Sequence, residues 1–177
     1  NIIDIKDKNI LEIGPGTGNL TSLILKQKPK KLIVIEKDNI LSNEIKNKFN
    51  DQLIVINDDV LNIDETVLFD NRVTVFGNLP YNISTEILSK WIINLKEDFW
   101  FECLILMFQK EVADRIIAEF NTSNYGRLSI ICNWKLNIKK ICDVKPEAFS
   151  PKPKIDSSLL LFYPKKNFIK LNEPNNL

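Results

Sequence analysis

The sequence predicts an α/β fold with a mostly parallel sheet and an antiparallel edge, and three observations predict it. From Asn9 to about Ile117, short apolar runs alternate with stretches of helical periodicity. Glycines, acids and amides, rather than further hydrophobic residues, follow the apolar runs. Beyond Tyr125 the alternation gives way to two late strand-like runs joined by a proline-rich loop, which suggests antiparallel pairing.

Asn9 to Ile13 reads as a first buried strand, ending in Gly14-Pro15-Gly16-Thr17-Gly18, with a helix over about Asn19 to Gln27. Leu32 to Ile35 is a second strand, ending in Glu36-Lys37-Asp38. Ile40, Leu41, Ile45 and Phe49 then recur at helical spacing. Leu53 to Ile56 is the third strand and Arg72 to Gly77 the fourth. Ser84 is expected to cap the next helix, with Ile87, Leu88, Trp91, Ile92 and Leu95 on its buried face. Leu104 to Phe108 is the fifth strand, followed by a helix carrying Val112, Ile116 and Ile117. Leu128 to Trp134 fits a short helix or a strand. Leu136 to Val144, a loop from Lys145 to Lys154 and a last strand, Ser157 to Tyr163, complete the core.

With 177 residues and 44% hydrophobic content, the chain supports one globular domain. No run approaches the roughly 18 apolar residues of a membrane span. No charged leader precedes an apolar signal segment. A cytoplasmic protein with no membrane partner is the expectation. The chain opens on Asn1 rather than Met, and its asparagine-rich tail reads as a linker. We therefore expect a domain over 1–164 and a linker over 165–177.

Histidine is absent, which excludes Ser-His-Asp and Cys-His catalysis and histidine-ligated metals. Cys103, Cys132 and Cys142 form no CxxC and are expected as reduced, small apolar residues. No metal site is expected. The net charge of +1 argues, though weakly, against a nucleic-acid partner. Lysines gather in two places, Lys26 to Lys31 and Lys135 to Lys170, and the second set has few acids beside it. From charge alone, both sets read as solvated faces.

Asn78-Leu79-Pro80-Tyr81 stands at the carboxyl end of the fourth strand, where open α/β sheets bind ligands. The Asn78 side-chain oxygen accepts two protons and the Pro80 carbonyl is a second, rigidly held acceptor. Tyr81 offers a flat face. Together they suit an exocyclic amino group on a stacked base; an ordinary turn is the alternative reading. The glycine turn after the first strand lets backbone approach a ligand, and Glu36, at the end of the next strand, suits the two hydroxyls of a ribose. A plain βα turn with a surface acid is the alternative there. The spacing is neither G-x-G-x-x-G nor a P-loop. Asp59, at the third strand's end, could accept from an adenine amine, whereas Asp58 and Asp64 read as solvated loop acids. An adenosine compound without phosphates, carrying a cationic sulfonium, fits this set: S-adenosylmethionine. Acceptors on both protons of an adenine amine would turn its lone pair toward a methyl group, and no strong base is then essential. Tyr81 would stack on the flipped base.

Six motifs in order carry a wider resemblance. They are Leu11 to Gly18, Val34 to Asp38, Gly77 to Thr85, Gln109 to Arg115, Tyr125 to Ser129 and Phe149 to Ser157. From about Lys8 to Tyr163 the chain resembles the KsgA-type ribosomal small-subunit RNA adenine N6-dimethyltransferases. The resemblance implies a Rossmann-like, seven-stranded methyltransferase fold. It also implies transfer of two methyls from S-adenosylmethionine to N6 of each of two adjacent adenosines, acting in ribosome biogenesis. Carried over by motif, Gly14, Gly16, Glu36, Asp59 and Asn78 would contact the cofactor, with Lys37 and Val60 beside its adenine. Asn78, Leu79, Pro80 and Tyr81 would hold the target, and Phe149 would supply a second stacking face. Packing of Phe149 on the sheet is an equally good reading of that ring. The implied partner is small-subunit ribosomal RNA in a pre-ribosomal particle, bound by a monomer. The family's N-terminal G-Q-N-F-L-like segment and helical C-terminal domain are not in this sequence.

Three alternatives remain open to the sequence. An Erm-type large-subunit RNA adenine methyltransferase shares the chemistry, although Pro15, Gln109-Lys110-Glu111 and the Pro151 to Lys154 loop favour the small-subunit enzymes. A DNA adenine-N6 methyltransferase is disfavoured by Leu79, where those enzymes carry proline. A non-catalytic assembly factor is disfavoured by the intact Glu36, Asp59 and Asn78.

Overall fold

Seven strands, in the order β3-β2-β1-β4-β5-β7-β6, make the sheet of this computed structural model. Residues 3–94, 99–149 and 152–169 are described. Leu95, Ser150, Pro151 and residues 170–177, all invoked above, lie outside them. The strands are β1 (Asn9–Ile13), β2 (Lys31–Ile35), β3 (Ile54–Ile56), β4 (Val73–Gly77), β5 (Phe101–Gln109), β6 (Leu136–Val144) and β7 (Ser157–Pro164). Between them lie α1 (Asn19–Lys26), α2 (Asn39–Phe49), α3 (Ser84–Ile93), α4 (Lys110–Ile116) and α5 (Arg127–Lys135). The chain divides into two units, 1–78 with 100–102, and 79–99 with 103–177.

In the first unit β1 pairs in parallel with β2 and β4, and β2 with β3. Four of the five residues of β1 and of β2 are buried, as expected of strands covered on both faces. Ile5, Ile10, Ile24, Leu32, Val34, Ile45, Phe49 and Leu53 form the core that α1 and α2 close over. Gly18 sets the approach of these elements. Its φ is 80°, and a Cβ there would lie 2.6 Å from the Phe49 ring and 2.7 Å from Ile45 Cδ1. Only a residue without a side chain fits both limits. Asp38 caps α2 by accepting from the Ile40 and Leu41 amides.

In the second unit β7 runs antiparallel to both β5 and β6, so the antiparallel edge is a hairpin with β6 outermost. Its register slips between Lys140 and Cys142. The stretch that fitted either a helix or a strand is helical, α5. Ser84 does not cap α3: Ile83 holds that position, and Ser84 is the first helical residue, its hydroxyl donating to the Tyr81 carbonyl at 3.1 Å. Ile87, Leu88, Trp91 and Ile92 are the buried face of α3, each stabilising by about 1.5–3 kcal/mol. Residues 165–169 fold back on α5. The Lys165 amide donates to the Lys135 carbonyl at 2.8 Å, the Trp134 indole donates to the Ile169 carbonyl at 2.6 Å, and Phe168 packs edge-on against Trp134 and Phe99.

Cys103 and Cys132 are buried as expected, and burial pushes the Cys132 thiol up to about 12. Cys142 is exposed on β6. The lysines of the last quarter are less free than their sequence neighbours imply. Lys140 pairs with Asp143, Lys145 with Asp156 and Lys152 with Glu147.

Candidate functional site

Parallel register sets the candidate site residues of the first unit. Ile13 stands level with Ile35 and with Gly77, and Ile35 with Ile56. Gly14, Glu36, Asn57 and Asn78 follow these residues directly, so all four leave the sheet along one edge of the first unit.

Gly14 turns the chain with φ 67°, and its amide donates to the Ile35 carbonyl at 2.9 Å. A Cβ on Gly14 would sit 3.6 Å from the Asn78 carbonyl, so the glycine turn and the end of β4 lie side by side. Gly16, at φ 56°, faces open space. Glu36 is 8% exposed. Its Oε2 accepts the Gly16 amide at 3.2 Å and its Oε1 accepts the Asp38 amide at 3.0 Å. Each oxygen retains further acceptor capacity. An acid held by two amides against the glycine turn is a built feature rather than a surface acid. Asn57 supports the same loop by donating to the Glu36 and Lys37 carbonyls.

Asp59 is more engaged than a free adenine acceptor. Its Oδ2 takes the Lys37 ammonium at 2.8 Å and its Oδ1 caps a 3-10 turn, Val60–Asn62, through the Leu61 amide. The carboxylate raises the Lys37 pKa through that hydrogen bond and its charge. Val60 is 5% exposed, so only one edge of its side chain and its backbone are open to a ligand. Asp64 is not merely solvated: it caps a second 3-10 turn, Glu65–Val67, through the Thr66 amide. Asn78 is exposed, and its carboxamide has no hydrogen-bond partner among the described residues.

The second unit holds the other named residues. Leu79 is 1% exposed and is part of the core, so its side chain fixes the loop and offers no face to a base. The Pro80 carbonyl already accepts the Ile83 amide at 3.1 Å, which leaves one lone pair for a ligand. The Tyr81 hydroxyl shares a 2.7 Å hydrogen bond with Ser157 at the start of β7, and the Tyr81 carbonyl takes the Ser84 hydroxyl. The half-buried ring is thereby held at its tip and at its backbone. Phe149 is half-buried after the 3-10 turn Pro146–Ala148, and its ring forms no aromatic pair among the described residues.

Sequence reasoning missed two groups. Ser157 closes the Phe149 motif, but nothing in its type announced a bond to Tyr81. Glu12 lies in the glycine motif itself, 1% exposed, and burial raises its carboxyl to about 7 against a smaller opposing influence of Thr21. Glu12 Oε2 finds no hydrogen-bond partner among the described residues. An acid in the apolar run Asn9–Ile13 was the available signal. No group of three metal-ligating side chains occurs among the described residues, and no helix there is long and apolar enough to cross a membrane.

Comparison with known proteins fits this geometry. The family model described as ribosomal RNA adenine dimethylase matches residues 1–175. The ribosomal RNA small subunit methyltransferase A of Pelagibacter ubique (strain HTCC1062) is 65% identical over all of this chain and 68% of its own length. That of Ehrlichia chaffeensis is 45% identical over 97% of this chain and 63% of its own. Among solved structures, a dimethyladenosine transferase from Plasmodium falciparum superposes with TM-score 0.79 at 35% identity, over 92% of this chain and 58% of the other. The 23S rRNA methyltransferase ErmE, 22% identical with TM-score 0.74, covers 98% of this chain and 68% of its own, and shares the fold. The chain thus spans 68%, 63% and 58% of the length of the Pelagibacter, Ehrlichia and Plasmodium relatives. On the match along its whole length, it belongs to the ribosomal RNA adenine dimethylase family, whose fold is the Rossmann-like one of S-adenosylmethionine-dependent methyltransferases.

Proposed function

We propose that this chain is the catalytic part of an enzyme that moves methyl groups from S-adenosylmethionine to N6 of two adjacent adenosines in small-subunit ribosomal RNA. The observation that carries the reading is the unpartnered Asn78 carboxamide, on the same strand-end edge as the amide-anchored Glu36.

The residues present fit the cofactor. Open space above Gly16 admits a ligand against backbone, and the remaining acceptor capacity of Glu36 suits paired ribose hydroxyls. Lys37, Asp59 and Val60 border the adenine position. When bound, S-adenosylmethionine supplies an electrophilic methyl group. The protein's part is orientation. The Asn78 side-chain oxygen accepts a hydrogen bond from one N–H of the adenine amine and the free lone pair of the Pro80 carbonyl accepts one from the other, which keeps the nitrogen lone pair out of conjugation with the ring. Tyr81, held by Ser157, stacks on the extruded base, and Phe149 covers its second face. Leu79 acts through packing.

Residues 1–164 serve as the catalytic domain, and 165–177 read as a linker. The working substrate is a pre-ribosomal particle and the enzyme acts as a monomer in the cytoplasm. The small-subunit reading is preferred to the large-subunit one because the relatives at 65% and 45% identity are small-subunit methyltransferases by name.

The test is to supply labelled S-adenosylmethionine and small subunits lacking the modification, and then to map the label. Dimethyladenosine at adjacent positions is the expected result. Label confined to large-subunit RNA, or cofactor binding with no transfer, would overturn the proposal.

A further inference from the structure

The loop between α4 and α5 presents groups that the proposed reaction does not use. Phe120 is 75% exposed and Tyr125 36%. Their rings meet edge to face, 5.6 Å apart at 88°. Large aromatics turned outward together form an apolar patch that marks an interaction surface. The loop holding them is folded: the Thr122 amide and hydroxyl both reach the Glu119 carbonyl, and the Tyr125 amide reaches the Thr122 carbonyl.

Arginines flank the pair. Arg115 lies in the last turn of α4 and Arg127 is the first residue of α5. Both are exposed and neither has an ion pair among the described residues. Ser129 ties the two ends together, its hydroxyl accepting the Gly126 amide and donating to the Arg115 carbonyl at 2.7 Å. The nearby cations differ: Lys110 lies 3.2 Å from Asp114, and Lys140 lies 2.7 Å from Asp143. Arg115 and Arg127, at the two ends of the loop that holds the aromatic pair, thus keep their charge unpaired among the described residues.

A cleft of about 420 Å³ lies alongside, lined by Lys110, Glu111, Asp114, Asn124, Ile155 and Asp156. That is room for a nucleoside-sized ligand. Three carboxylates against one ammonium disfavour phosphate there. Glu111 and Asn124 have no side-chain hydrogen bond among the described residues, which leaves acceptors for the amino edge of a base.

We infer that this loop and cleft form a docking platform for an unpaired RNA nucleotide, with its base stacked on the Phe120–Tyr125 pair and its flanking phosphates on Arg115 and Arg127. Stacked bases on aromatic faces, with arginine on the backbone, are how single-stranded RNA is held. An acidic peptide would satisfy the arginines but would leave the aromatic pair and the cleft unused. The inference rests on the proposed function in one respect: the RNA bearing the target adenosines supplies the nucleotide.

The test uses a short single-stranded RNA with two adjacent adenosines flanked by 2-aminopurine, whose emission falls when it stacks. Binding to the unaltered chain should quench it. The double variant Phe120→Ala with Tyr125→Ala should restore the emission and weaken binding roughly tenfold, while Tyr125→Trp retains quenching. Arg115→Ala and Arg127→Ala should each reduce the slope of log affinity against log salt by about one. S-adenosylmethionine binding by the same variants reports that the fold is intact. Unchanged quenching and affinity in the aromatic double variant would overturn the platform, as would equal affinity for the same sequence as a duplex. Quenching by a chain that transfers no methyl to small subunits would remove the reaction and support the platform.

Discussion

The Glu36 carboxylate accepts the backbone amide of Gly16 across 3.2 Å, joining the end of β2 to the glycine turn after β1. Its second oxygen takes the Asp38 amide, so one side chain holds two loops in place. The acid therefore shapes the loops of the candidate cofactor site as well as offering acceptors to a ligand.

Glu36→Gln puts an N–H against one of these amides and removes the charge. Hydrogen bonds to a charged group are worth about 1.5–3 kcal/mol, so S-adenosylmethionine affinity should fall at least tenfold by calorimetry. Affinity within twofold of the unaltered chain would remove Glu36 from the ribose role.

Tyr81 separates two effects. Tyr81→Phe loses the Ser157 bond and keeps the ring, and should cost about 0.5–1.5 kcal/mol of stability in denaturant titration. Tyr81→Ala also loses stacking, and target-base binding should weaken by about 1–3 kcal/mol. Equal RNA affinity for the two variants would show that the ring does not touch the base.

Gly18→Ala tests the packing of α1 and α2. The new methyl meets Phe49 and Ile45 closer than 3 Å in a left-handed backbone, and overpacking alone costs about 1–3 kcal/mol. Thermal unfolding should shift down. An unchanged melting temperature would mean that α2 moves freely relative to β1.

Glu12 gives a pH dependence of definite sign. Its folded pKa is raised from 4.5 to about 7 by burial. Below about pH 4.5 both states hold the proton and stability is full. Between there and about pH 7 the unfolded chain has lost the proton that the folded chain keeps, so stability falls as pH rises. The accumulated loss is on the order of 3 kcal/mol. Glu12→Gln, which keeps the shape without the titration, should flatten urea-unfolding stability across that window. Parallel curves for the two proteins would show that the carboxyl titrates normally.

Much of the scaffold was legible because each parallel strand is a short apolar run and each helix a periodic one. Asn9–Ile13, Asn39–Phe49 and Ser157–Pro164 needed nothing more. Leu128–Trp134 was ambiguous because its apolar residues follow neither period cleanly, and tertiary packing of Ser129, Ile131 and Cys132 settles it as helix. Ser84 misled because a serine at a helix start is usually a cap. Here it bonds backward to Tyr81 from inside the first turn. Of the candidate site, the places of Glu36 and Asn78 directly after strands were legible. Leu79, read as part of a binding motif, is a core residue within it, and no local pattern separates those roles. The bond from Tyr81 to Ser157 spans most of the second unit and is visible only after folding.

The central claim is that the Asn78 carboxamide orients the target amine. Single-turnover methyl transfer by Asn78→Ala, measured beside RNA affinity on the same preparation, tests it most directly. The account predicts a rate lower by roughly a hundredfold or more with RNA affinity retained. Equal loss of rate and affinity, or a rate left intact, would contradict it.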